Sequence, residues 1–193
     1  MGARLLRSAC YRRMPWKNGG GETVEIAVFP EYAALADFGW RVSMATVASD
    51  GPFSVFPGID RTLAVLSGDG MDLSIEGIGE RLLTPESAAL AFPADAPTTA
   101  RLTGGPITDL NVMTRRGRFD HTMSRREGEG PLPPMPEGGC RVLFALDPIG
   151  VSTADGLIGF QPLDAILLDA NMPAAIVSVT ERASFYLIDI ETV

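Results

Sequence analysis

Histidine occurs once in this chain of 193 residues, at His121, lysine once, at Lys17, and cysteine twice, at Cys10 and Cys140. Histidine is the usual transition-metal ligand and the usual general base near neutral pH, so a single copy removes most metal centres and catalytic triads. His121 stands among Arg, Glu, Gly and Pro and reads as a solvated loop side chain. The two cysteines lie far apart and neither belongs to a C-x-x-C pair, which excludes a disulfide framework or zinc ribbon and fits reduced thiols. Basic residues are also scarce. With 16 Lys plus Arg against 24 Asp plus Glu the net charge is −8, and without a basic stripe to release counterions nucleic acid is excluded as a partner. Long apolar runs are missing: residues 170–180 form the longest uncharged stretch, Pro173 interrupts it, and it falls short of the roughly 20 residues that span a bilayer. Arg4, Arg7, Arg12 and Arg13 leave only Leu5 and Leu6 side by side, too little for a signal-peptide core. A soluble cytoplasmic protein with no membrane partner is expected. The motifs G-x-S-x-G, G-x-x-x-x-G-K-[ST] and H-E-x-x-H are absent.

What is present is a chain 46% hydrophobic and 21% charged, a globular composition able to build a core without metal or disulfide staples. Short alternating runs are cut by Gly, Pro and Asp, the pattern of an all-β sandwich or barrel. WRVSMATV from Trp40 puts Trp40, Val42 and Met44 on one face and Arg41, Ser43 and Ala45 on the other. LAVL from Leu63 and MDLSI from Met71 flank Ser67-Gly68-Asp69-Gly70, which reads as a hairpin turn. DLNVMTR from Asp109 alternates again. Glu31–Asp37 has room for one or two helical turns. Between Arg115 and Gly139 the composition turns to Arg, Glu, Gly and Pro and reads as a linker or surface crossing. RVLFAL, DAILLDA, AIVSVT and SFYLIDI follow as further strands. The expected organisation is a β-barrel over residues 1–118, a linker over 119–138 and a second, smaller β unit over 139–193.

Three clusters carry candidate chemistry. Met14-Pro15-Trp16-Lys17-Asn18-Gly19-Gly20-Gly21 reads either as a pocket wall, with Trp16, Lys17 and Asn18 supplying a flat ring, a cation and an amide, or as a tight turn leading into a strand with Trp16 packed in the core. Gly51 to Arg61 ends on Asp60 and Arg61, which read as a surface pair or as binding groups. In the third cluster Asp109, Asn111 and Arg115 recur on one strand face, either the wet side of a sheet or, inside a barrel, donors aimed at an anion.

The blocks MPWKNGGGETVEIA, WRVSMATVASDGPFSVFPGIDRTLAVLSGDGMDL and GGPITDLNVMTRR, in that order over most of residues 11–118, resemble the HutD/Ves family. The resemblance implies an all-β, cupin-like (RmlC-like jelly roll) barrel, bicupin with a shorter second unit, and a role in regulating or buffering histidine utilisation. Metal-binding cupins use G-x5-H-x-H-x3-4-E-x6-G, and here Arg61 stands where the glutamate falls; in the second cupin block Thr98 and Leu102 replace His and Asn. The expectation is therefore a barrel with no cofactor and no metal, binding a small carboxylate metabolite such as urocanate or formylglutamate. Its ligand residues would be Trp16, Lys17, Asn18, Arg41, Ser43, Asp60, Arg61, Asn111 and Arg115. Fold-level analogy allows a homodimer. Two alternatives stand beside it: an isomerase or hydrolase using Asp60, Asp109 or Lys17 as acid or base, and a protein-interaction module built on the Pro-rich segment.

Overall fold

A computed structural model describes residues 2–17, 19–135, 137–153, 156–169, 176–177 and 183–193. Among these residues the chain is almost entirely β, with a single 3-10 turn at Ser8–Cys10. No helix of the described residues is long and apolar enough to cross a membrane. The strands are β1 (Ala3–Leu6), β2 (Arg12–Pro15), β3 (Gly21–Phe29), β4 (Trp40–Val47), β5 (Gly51–Pro52), β6 (Ile59–Ser67), β7 (Met71–Ile75), β8 (Gly79–Leu83), β9 (Leu90–Pro93) and β10 (Thr98–Leu102). They continue with β11 (Ile107–Arg115), β12 (Phe119–Glu127), β13 (Gly130–Pro131), β14 (Cys140–Ala145), β15 (Ile149–Thr153), β16 (Gly156–Phe160), β17 (Ala165–Asp169), β18 (Ile176–Val177) and β19 (Ser184–Thr192). They form two compact units: Arg12–Phe119, and Met1–Tyr11 together with Asp120–Val193.

The Arg12–Phe119 unit holds a six-stranded sheet in the order β2-β3-β4-β11-β6-β9 and a four-stranded sheet in the order β5-β10-β7-β8. Period-two alternation sends one set of side chains between the two sheets. Val47, Leu63, Val65 and Ile107 from the first sheet meet Met71, Leu73 and Ile75 from the second in one apolar cluster. Ser67–Gly70 is a turn, and Gly68 and Gly70 take positive φ there. It does not close a hairpin, however: β6 pairs with β11 and β9 while β7 pairs with β10 and β8, so the turn carries the chain from one sheet to the other. Glu31–Asp37 forms turns and no helix.

The other unit has a five-stranded sheet, β1-β17-β14-β19-β12, and a four-stranded sheet, β13-β18-β15-β16. Its core gathers Leu143, Val151, Phe160, Ile166 and Leu187, with Leu5 packed against it. Two of the expected boundaries differ here. Residues 1–11 fall in this unit because β1 pairs antiparallel with β17, Leu5 opposite Ile166. Asp164 fixes that segment by accepting from the Ser8 N–H at 2.7 Å and from Arg7 at 2.8 Å, and the Tyr11 hydroxyl donates to the Leu163 carbonyl at 2.9 Å. Residues 119–127, expected as linker, make β12, an edge strand of the five-stranded sheet. An edge strand tolerates charged side chains on its open side, so Arg- and Glu-rich composition does not exclude one.

Candidate functional site

The candidate site lies between the two sheets of the Arg12–Phe119 unit, on adjacent strands β4, β11 and β6. Met113 of β11 stands opposite Arg41 on one side and Arg61 on the other; Asn111 stands opposite Ser43 and Leu63; Asp109 stands opposite Ala45 and Val65. The same parity continues into Val47, Val65 and Ile107 of the apolar cluster, so these polar residues share the face that the core occupies. Arg41, Ser43, Arg61, Asp109 and Asn111 are all buried.

Arg61 is 6% exposed. Its guanidinium carbon sits 5.3, 5.5 and 5.8 Å from the ring centroids of Phe53, Phe56 and Phe92. Such cation–π contacts contribute about 0.5–2 kcal/mol each, but they leave the N–H donors unused. One terminal nitrogen reaches the Met113 sulfur at 3.9 Å, a weak acceptor, and the buried Nε meets no hydrogen-bond partner. Burial pulls the Arg61 pKa down to about 10; the charge of Asp109 opposes the shift and that of Arg41 adds to it. The group is a cation at neutral pH all the same. A buried donor without a partner costs about 1–3 kcal/mol, more when charged, so the arrangement lacks an acceptor that an anion would supply.

Its neighbours are differently placed. Arg41 donates from Nε to Glu25 at 2.8 Å, both side chains nearly buried, and Arg12 lies 3.9 Å from the same carboxylate at the exposed rim. Asp109 is 1% exposed and accepts a short hydrogen bond from the Asn111 amide. Burial raises its pKa to about 7, against the lowering effects of the Arg61 charge, the Asn111 amide and the Ala45 backbone. Asp109 therefore changes charge near neutrality while Arg61 does not. Phe53, half-buried over Arg61, also walls an open surface cleft of about 350 Å³ with Val55, Ile75, Pro97 and Thr98.

The structure brings together Arg41, Ser43, Arg61 and Asn111 from the expected set. Trp16 is packed against the apolar end of the interior, its indole N–H donating to the Thr23 hydroxyl at 2.8 Å. The glycine run serves that packing: a Cβ at Gly21 would fall 2.1 Å from the Thr46 carbonyl and 2.9 Å from the Trp16 ring. Lys17 is exposed, and Asn18 lies outside the described residues. Asp60 has the opposite parity to Arg61 and pairs at the surface with Arg116 at 2.7 Å, as does Asp95 at 3.0 Å. Arg115, at the strand end, donates to the carbonyls of Ala36 at 2.9 Å and Phe38 at 3.1 Å and so holds the 36–38 turn. Sequence reasoning missed Glu25, which neutralises Arg41, and the rings of Phe53, Phe56 and Phe92. The alternation of GETVEIAVF and the paired phenylalanines of GPFSVFPG were the available signals. Among the described residues no group of three or more His, Cys, Asp and Glu side chains could hold a metal ion.

A model of the HutD family matches residues 8–186. An uncharacterized 21.2 kDa protein in the hutC 3' region of Pseudomonas putida is 43% identical over 116 residues, and the matched stretch covers 60% of this chain and 60% of that protein. Among solved structures, a conserved protein of unknown function from Pseudomonas aeruginosa PAO1 superposes with a TM-score of 0.88 at 31% identity, over 99% of this chain and 100% of that one. HutD from Pseudomonas fluorescens SBW25 superposes at 0.82 with 31% identity, covering 99% of both. A Cupin 2 conserved barrel domain protein from Leptotrichia buccalis, 14% identical, matches at 0.60 over 89% of this chain and 88% of its own, a likeness of fold alone. The fold is cupin-like.

Proposed function

The chain belongs to the HutD family, and from that premise we propose that the interior of its Arg12–Phe119 unit binds a small carboxylate metabolite without a metal ion, as part of the regulation or buffering of histidine utilisation. Urocanate and formylglutamate are the candidate ligands. The observation that carries the reading is Arg61: a buried cation held by three aromatic rings, with a buried Nε that no protein acceptor satisfies. A carboxylate is the complement such a group takes, through one charge-assisted hydrogen bond or two. Asn111 and Ser43, buried on the same face of the neighbouring strands, supply further polar contacts beside it. The half-buried ring of Phe53 lies over Arg61 and also lines the surface cleft, which supports entry of the ligand from that cleft past this ring.

The test is a thermal-shift and calorimetric panel with histidine, urocanate, formiminoglutamate, formylglutamate and glutamate, run with EDTA and with added divalent metals. One of the acids should raise the melting temperature equally in both conditions, since a ligand at 100 times its Kd stabilises by about 2.7 kcal/mol. The same acid should fail to bind Arg61→Met. A flat panel, or a shift seen only with metal, would overturn the reading.

A further inference from the structure

We propose that the Arg61 site takes a singly charged anion together with one proton, and that the proton resides on the Asp109 carboxyl. This deepens the carboxylate-binding reading of the same site and rests on it. The interior face carries few charges. They are Arg61 from β6, Arg41 from β4, Glu25 from β3 and Asp109 from β11, with Arg12 of β2 at the exposed rim. The second sheet and β9 face them with Met71, Leu73, Ile75, Ala100 and Phe92, which carry no charge.

Glu25 and Arg41 cancel one another across 2.8 Å, which leaves Arg61 and Asp109. These two make no ion pair: Asp109 is held by Asn111, and Arg61 by the rings and the Met113 sulfur. They act on each other through space, and without a bound anion the Arg61 cation is the charge that supports Asp109 as a carboxylate. An anion seated on Arg61 cancels that support and adds a like charge nearby. Two neighbouring negative charges out of water do not both persist, and the one with a proton-accepting site takes a proton. The occupied interior then holds Arg61 and one anion, with Asp109 neutral. A dianion would bring a second negative charge for which no interior cation is left, because Arg41 is committed to Glu25. The site therefore selects monocarboxylates against dicarboxylates, which of the two candidate ligands favours urocanate, with one carboxylate, over formylglutamate, with two, and Asp109 is the residue that sets the selection.

The pH dependence follows from the free protein, where Asp109 titrates at about 7. Below that pH the proton is already in place and affinity is flat. Above it the proton must come from solvent, and affinity falls by up to tenfold per pH unit. The experiment is isothermal titration of the full chain with propionate and with succinate between pH 6 and pH 9, each in two buffers of different ionisation enthalpy. Propionate should bind with close to one proton taken up at pH 8–9 and almost none at pH 6, and at pH 8 succinate should bind at least tenfold more weakly. In Asp109→Asn, propionate binding should be flat with pH and free of proton uptake. The uptake measured on the unaltered protein decides the matter even where that variant does not fold. Arg61-dependent binding of propionate with no proton uptake at pH 8–9, or succinate binding as tightly as propionate, would overturn the inference while leaving the carboxylate site standing. Failure of both acids to bind, or binding that survives in Arg61→Met, would sink the carboxylate reading itself and the inference with it.

Discussion

Arg61 of the Arg12–Phe119 unit and Arg141 of the other unit are both buried guanidiniums, and they are treated in opposite ways. Arg141 of β14 is 1% exposed, and each of its three nitrogens has an acceptor. It donates to both oxygens of Asp189 at 2.6 and 2.8 Å and to the carbonyls of Pro133 and Pro134 at 2.7 and 3.3 Å. Arg61 is also buried, yet its contacts are three rings and a sulfur. The first tethers the 133–134 segment to its sheet and leaves none of its nitrogens without an acceptor. The second keeps donors in reserve. Burial alone does not separate a structural arginine from a binding one; the count of satisfied donors does.

Substitutions separate the two arginines. The largest effect is expected in the Arg141–Asp189 pair. Asp189→Ala strands the Arg141 charge in the core and should cost about 3–5 kcal/mol, read as a lowered denaturation midpoint.

Next comes Asp109, whose effect depends on pH. Its folded pKa, about 7, stands above the ordinary carboxyl value, so between about pH 4 and pH 7 the unfolded chain releases a proton that the folded one retains. Stability is therefore lost as pH rises through that window, with the whole deficit in place above pH 7 and none of it below pH 4. Asp109→Asn removes the titration. Relative to wild type it should gain up to about 4 kcal/mol on going from pH 4 to pH 8, measured by urea midpoints at both ends.

Arg61→Met should leave stability within about 1 kcal/mol of wild type or raise it, since an unpaired buried charge is replaced by an apolar chain. A loss as large as that of Asp189→Ala would erase the distinction between the two arginines. Smallest is Arg116→Ala, which releases Asp60 and Asp95. Arg116 holds the Asp95 carboxyl down at about 2, but all three side chains are a third or more exposed. Solvent screening limits the loss to about 1 kcal/mol or less, and salt should shrink it further.

The same contrast shows what sequence reasoning can reach. Period-two alternation in WRVSMATV and DLNVMTR identifies strands and sorts Arg41 and Ser43, Asp109 and Asn111, onto faces, because parity is a local property of a pleated chain. The facing breaks down at Arg115, where the strand ends and the side chain is free to turn back onto Phe38 and Ala36. Pairing is not local at all. The glycines at Ser67–Gly70 announce a turn, but which strands flank it as partners depends on residues far along the chain, and the turn joins two sheets. Likewise nothing in Ala3–Leu6 points to Ala165–Asp169, its partner more than 150 residues away. Glu25 escaped notice because an acid in a strand reads as solvent-facing until the opposite arginine is placed beside it.

Whether the open guanidinium of Arg61 holds a carboxylate is decided by titrating the same acid into wild type and Arg61→Met, with melting curves on both. One carboxylate should bind per wild-type chain and none per variant chain, and the variant should melt at or above the wild-type temperature. An Arg61→Met protein that binds the acid as well as wild type would contradict that role for Arg61.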